Sequence, residues 1–129
     1  MIKTAAAAAD LVCAPPLAPD RQAIDLDHLA RLTFGDGSLQ VEVLRLFDRQ
    51  SEMLSERMAR SAPNVIGALA HTLKGSARGI GAWNVAAAAD ALESTAAQHC
   101  AAELGESMDR LAAAIAETHA AIGKLLDAH

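Results

Sequence analysis

Ala101–Asp127, AAELGESMDRLAAAIAETHAAIGKLLD, has the most regular apolar spacing in the chain. Leu104, Met108, Leu111, Ile115, Thr118, Ile122 and Leu125 alternate steps of four and three residues. That spacing puts side chains on one face of an α-helix. A near-heptad seam of this length suits an antiparallel helical bundle. It could also serve a dimer, but an intramolecular core already accounts for one stripe. Composition agrees. The chain of 129 residues fits one domain. It is 52% hydrophobic, much of that alanine, and its only aromatics are Phe34, Phe47 and Trp83. Alanine and leucine favour closely packed helices, and the β-branched residues are too scattered for strands. The expected fold is all-α: an antiparallel up-down-up-down four-helix bundle with a short additional N-terminal helix.

The preceding helix is expected over about Ala82–Gln98, burying Val85, Ala89, Leu92 and Ala96. Its end is poorly marked, with no glycine or proline between Gln98 and Ala101. Before it, Pro63–Arg78 has a buried stripe of Ile66, Leu69, Leu73 and Ala77, continued by Ile80. Pro63 suits a first turn, Ser61 is a candidate cap, and Gly79 or Gly81 can supply the left-handed residue that ends the helix. A long helix over about Gly37–Arg60 carries Leu39, Val43, Phe47, Leu54 and Met58 on one face, flanked by Leu46 and Gln50. Glu56 and Arg60 have i,i+4 spacing for an ion pair. Gly35-Asp36-Gly37 separates this helix from a short one, capped by Asp25 or Asp27, that contains Leu26, Leu29, Leu32 and Phe34. Residues 1–22 read as a tail and proline-containing linker, broken by Pro15, Pro16 and Pro19. The bundle domain is expected over 23–129.

Leu69-Ala70-His71-Thr72-Leu73-Lys74-Gly75-Ser76-Ala77-Arg78-Gly79-Ile80-Gly81 is the chemically suggestive stretch. A glycine inside a helix costs about 1 kcal/mol relative to alanine. Yet Gly67 and Gly75 lie one turn either side of His71, on its own face. Lys74 and Arg78 follow at three and seven residues. His71 and Lys74 fall off the apolar stripe, so both are expected at the surface. The formal charge is −5, which argues against general nucleic-acid binding. From Arg57 through Ala89, however, the charged residues are Arg57, Arg60, Lys74 and Arg78 alone. A basic segment in an acidic protein suits an anionic ligand or an acidic partner pocket.

Other chemistries fit poorly. His28, His71, His99, His119 and His129 include no H-x-x-x-H pair, and Asp25-x-x-His28 is solitary, so no metal site is expected. No serine or cysteine pairs with His71 at a recognisable spacing, and no G-x-x-x-x-G-K-[ST] loop is present for ATP. Cys13 and Cys100 are not a disulfide framework. The start, Met1-Ile2-Lys3-Thr4 then alanines, is interrupted by Asp10 before a signal core forms, and no stretch approaches the roughly 20 apolar residues of a membrane span. A soluble, cytoplasmic, monomeric protein is expected. A lone helical histidine is ordinarily structural or simply exposed. With a lysine one turn on and a cleared face around it, it can instead be a nucleophile. Free imidazole titrates near ~6.5, so the neutral form is plentiful, and phosphoryl groups are natural electrophiles for it.

His71-Thr72-Leu73-Lys74-Gly75-Ser76-Ala77, followed by Gly81-Ala82, resembles the signature of histidine-containing phosphotransfer (HPt) domains, H-x-[LI]-K-G then small residues then glycine. The likeness continues through Val85-Ala86, Ala89 and Leu92-Glu93, and back through Asp25-Leu26-Asp27-His28-Leu29, covering about residues 24–127. The resemblance implies that His71 accepts a phosphoryl group from a receiver-domain phospho-aspartate and relays it to another receiver aspartate, reacting through Nε2. It implies Lys74 for phosphoryl charge stabilisation, and response-regulator receivers and a hybrid histidine kinase as partners. It also implies Mg²⁺ in the receiver, with no cofactor on this chain. Gly67, Gly75 and Arg78 are expected to meet the partner. Arg78 and Gly79 stand where many members have a small residue and a polar one, which should alter the docking rim. Two other readings are a degenerate module that binds receivers without phosphotransfer and a plain helical adaptor. A piece of a larger hybrid kinase is a further alternative, against which the starting methionine and short tail favour a free-standing carrier.

Overall fold

The computed structural model describes residues 22–98 and 101–128. The tail expected over 1–22, apart from Gln22, lies outside the described residues, as do Cys13, His99, Cys100 and His129. Five helices follow one another: α1 (Leu26–Leu32), α2 (Gly37–Met58), α3 (Pro63–Ile80), α4 (Trp83–Ala97) and α5 (Ala101–Asp127). Each of the four long helices packs on its neighbour in sequence, and α5 closes back onto α2. The connections are too short for crossovers, so consecutive helices run antiparallel. The all-α bundle with its short leading helix is therefore as expected.

The core follows the sequence stripes except in α2, where Leu44 is buried and the expected Leu39 and Val43 are only half-buried. Leu73, Val85, Ala89 and Leu92 are fully buried, with Leu44, Met58 and Ile122 nearly so. Burying each of the larger side chains stabilises the fold by about 1.5–3 kcal/mol. Leu111, Thr118 and Ile122 are buried along α5, while Leu104, Met108, Ile115 and Leu125 pack at the core's edge. The helix α4 is buried on more of its circumference than its stripe suggests, because Asn84, Ala86 and Ala88 are also covered. It lies between α3 and α5 and packs extensively on both.

Helix starts are set by side-chain caps where a capping residue is available. Asp25 accepts from the His28 N–H, and Asp36 accepts from those of Ser38 and Leu39. Such caps contribute about 1 kcal/mol each. Ser61 does not cap α3: its hydroxyl donates to the Arg57 carbonyl at 2.6 Å, and Ala62 occupies the cap position before Pro63. Glu56 and Arg60 do not pair among the described residues, because α2 ends at Met58 and Arg60 lies in the following turn. In α1 only Leu29 is buried; Leu26 and Leu32 are exposed, and Phe34 is 91% exposed at φ 54°. Ile24, just before the helix, fills that part of the core instead.

The short α1 is locked onto the α3–α4 turn. Gly81 takes the left-handed conformation, φ 88°, that ends α3, and its carbonyl accepts from Asp25 N–H at 2.9 Å. Gly79 stays helical, so α3 runs two residues beyond the expected Arg78. The Gly79 carbonyl accepts from His28 Nε2 at 2.9 Å. Trp83 Nε1 donates to Asp25 Oδ2 at 2.8 Å, and the Trp83 and His28 rings meet edge to face at 5.1 Å. That donation and the cap hold the Asp25 carboxyl below the usual carboxylate range.

Two outcomes test this packing. Gly81→Ala should lower stability by about 1–3 kcal/mol in a urea titration. The new methyl would sit at positive φ and within 3.1 Å of Asp25 Cβ and 3.2 Å of His28 Cβ; an unchanged midpoint would show that α1 is not held this tightly. On the far side, His119 Nδ1 lies 2.7 Å from Asp48 Oδ1, and this carboxylate raises the imidazole above the ordinary 6.5. A raised folded-state value means the contact stabilises at pH below 6.5 and loses that effect as pH rises through the folded value. In an NMR titration His119 should therefore titrate above 6.5, and Asp48→Asn should lower its midpoint.

Candidate functional site

The Pro63–Ile80 helix turns its apolar stripe inward, with Ile66, Leu69, Ala70, Leu73, Ala77 and Ile80 buried. His71 falls on the opposite side, and its side chain is 67% exposed. Gly75 and Gly79 lie on the same outer face. A Cβ added at either would meet nothing within 4 Å, so packing does not demand glycine there. Their effect is to leave the surface beside the imidazole flat. Gly67 differs, because a Cβ there would touch Ala96 Cβ at 3.5 Å. It floors an open groove of about 540 Å³ between α3 and α4, lined by Pro63, Ala68, His71, Glu93 and Ala96 among others. Arg78 is exposed two turns beyond His71 and has no ion-pair partner among the described residues.

The residue that organises the site comes from the next helix. Glu93 of α4 places Oε2 at 2.9 Å from His71 Nδ1 and Oε1 at 2.7 Å from Lys74 Nζ. Asp90, one turn earlier on α4, reaches the same ammonium at 3.1 Å. Lys74 is consequently 14% exposed, folded down against α4 rather than extended into solvent. Its pair with Glu93, then that with Asp90, raises the Lys74 amine above its ordinary value. The same contact with Lys74, followed by that with His71, lowers the Glu93 carboxyl against the opposing effect of burial.

This corrects the picture of a locally basic segment. The acid-free run from Arg57 to Ala89 is real in sequence, but α4 delivers two carboxylates to one of its cations, Lys74. Charge counted along a chain misses partners brought in by an antiparallel neighbour. His71 and Lys74 are brought together, as their three-residue spacing requires; Gly67 and Gly75 flank them, and Arg78 stands apart. Glu93 is the residue that sequence reasoning passed over. A signal existed: if α3 and α4 run antiparallel through the short Gly81–Ala82 connection, residues at matched distances from it meet. His71 and Glu93 are such a pair.

The hydrogen bond fixes the chemistry of the ring. A carboxylate only accepts, so Nδ1 must carry the proton. In the neutral imidazole the lone pair then belongs to Nε2. Among the described residues no three of His, Cys, Asp and Glu converge to hold a metal. No helix described is long and apolar enough to cross a membrane.

The sequence matches the Hpt domain family over residues 42–121, most of the bundle. The chain belongs to the Hpt domain family. Searches of curated proteins and of solved structures give no match. Membership assigns this Hpt domain a histidine phosphotransfer role in two-component signalling. Hpt domains are phosphocarriers without a kinase domain, and they interact with receiver and kinase domains of two-component systems.

The tautomer is directly measurable. At a pH where the His71 ring is neutral, nitrogen NMR should find Nδ1 protonated and Nε2 bare. In Glu93→Ala the alternative tautomer should gain at least about half the population, since nothing then selects Nδ1–H. The same tautomer in both proteins would show that Glu93 does not set it.

Proposed function

We propose that His71 is the phosphorylated residue, accepting a phosphoryl group from a receiver-domain phospho-aspartate and relaying it to an aspartate on another receiver. The observation that carries this reading is the Nδ1–Glu93 hydrogen bond of 2.9 Å on an imidazole that is 67% exposed. It leaves a lone pair on Nε2 of an accessible ring. In the transfer the P–Nε2 bond forms as the bond from phosphorus to the aspartyl oxygen breaks, and the aspartate leaves with the bonding pair. Nδ1 keeps its proton, so the ring becomes cationic, and the Glu93 carboxylate lies against that charge. The reverse sequence delivers the group to the next receiver.

Phosphoryl transfer depends on positioning and on neutralising the equatorial oxygens. Lys74 is this chain's cation for that task. The Mg²⁺ that completes it is expected in the receiver's acidic pocket, with no cofactor here. Gly67 and Gly75 give the partner's backbone close access, and Arg78 stands on the rim. The α2–α3 face beside them also exposes Leu46, Met53 and Val65, and α3 carries no carboxylate of its own. The α3 part of this surface has no acid of its own, which suits a receiver whose active site is ringed by acids; on α2, Glu52 and Glu56 lie beside Leu46 and Met53. The donor or acceptor receivers include one of a hybrid histidine kinase, and the carrier acts as a cytoplasmic monomer.

The test is label transfer from a radioactively phosphorylated receiver. The unmodified chain should take up label that is lost in acid and kept in base. His71→Gln should take up none while keeping its circular-dichroism melt; retained uptake would sink the assignment. Gly75→Leu should slow transfer by about tenfold or more with little change in melting, since its site is open. Equal rates would remove Gly75 from the docking face.

A further inference from the structure

Asp90 has no part in the chemistry described above. Its side chain is 58% exposed, and its one polar contact among the described side chains is the Lys74 ammonium, 3.1 Å from Oδ1. Lys74 does not need it for neutralisation, because Glu93 Oε1 already lies at 2.7 Å. One ammonium therefore serves two carboxylates, and the Lys74–Asp90–Glu93 cluster is net negative before a phosphoryl group arrives. Besides Lys74, the group that faces the cluster among the described residues is the His71 ring, whose Nδ1 lies 2.9 Å from Glu93 and which is cationic only when it carries a second proton or a phosphoryl group.

A phosphoryl group on Nε2 adds further negative charge beside this cluster. Its oxygens and Asp90 then compete for the same positive charge. An ammonium has three donors, so a hydrogen bond to the phosphoryl group can form without displacing either carboxylate. What is contested is the charge itself, which two carboxylates already offset. Glu93 keeps a second task, the proton on Nδ1. Asp90 has no second task, so restraint of Lys74 is its role.

We propose that Asp90 is a positioning residue that acts through Lys74, drawing the ammonium toward α4 and so holding phospho-His71 at a higher transfer potential than Lys74 and Glu93 alone would give. The phosphoryl group is thereby given up more readily than it would be without Asp90. This rests on the reading of His71 as the phosphorylated residue.

The test needs no protein partner. The full chain is equilibrated with phosphoramidate and ammonia at fixed ionic strength. The P–N bond of the reagent breaks, ammonia leaves with the bonding pair, the P–Nε2 bond forms, and phosphorus NMR reads the phospho-His71 fraction. Asp90→Asn should shift this equilibrium toward phospho-His71 about twofold to fivefold, the range for one exposed ion pair. In a Lys74→Met background the shift should disappear; thermal melts check that both proteins fold. A purely structural role for Asp90 would move the melt and not the equilibrium. An equilibrium unchanged by Asp90→Asn overturns the proposal while leaving His71's role intact. So does a full shift in the Lys74→Met background, which would mean that Asp90 acts on the phosphoryl group directly. A wild-type chain that takes up no phosphoryl group overturns the assignment of His71 and this proposal with it.

Discussion

The close approach of α3 and α4 is the constraint on which the site depends. The two helices meet through small residues: Gly67 faces Ala96, and Ala70, Ala77 and Ala89 have no exposed surface. Axes come closest where side chains are small, and packed helices separate by ångströms as those residues grow. A carboxylate on two methylenes has little spare reach. Glu93 spans from α4 to two groups on α3 only because the axes are near. The alanines of α4 therefore contribute position more than hydrophobic energy, which comes from Leu73, Val85, Leu92 and their larger neighbours.

The second consequence concerns where acids are allowed. The helix that bears His71 has no aspartate or glutamate, so its outer face presents none of its own. Yet the imidazole needs an acceptor for its Nδ1 proton and the lysine needs counter-charge. Both come from the neighbouring helix, through Glu93 and Asp90. Both carboxylates reach in from the side, while a Cβ added at Gly75 would meet nothing within 4 Å. The lock of α1 on Gly81, through Asp25, His28 and Trp83, holds the turn that sets the relative position of these two helices.

Much of this was legible in the chain. The four-and-three spacing from Leu104 to Leu125, the stripe from Ile66 to Ile80 and the scarcity of β-branched residues require amphipathic helices that bury one side. His71 off that stripe had to be at the surface, and Lys74 three residues on had to be near it. Helix geometry is local, so periodicity and spacing carry these conclusions. Locality also explains the errors. Ser61 has the chemistry of a cap but lies one residue too early, and Glu56 and Arg60 have the spacing of a pair but no continuous helix between them. Leu26 and Leu32 look like core residues, yet α1 is too short and too peripheral to bury them.

By itself the sequence determined the helices, the face of α3 that His71 occupies, and the motif that marks the family. Tertiary structure alone decided the electrostatics of the site. Glu93 and Asp90 are 22 and 16 residues from their partners His71 and Lys74, and nothing local selects them. Their choice follows from the antiparallel register of two helices at close range. That register is a property of the packed bundle, and it decides which imidazole nitrogen carries the proton.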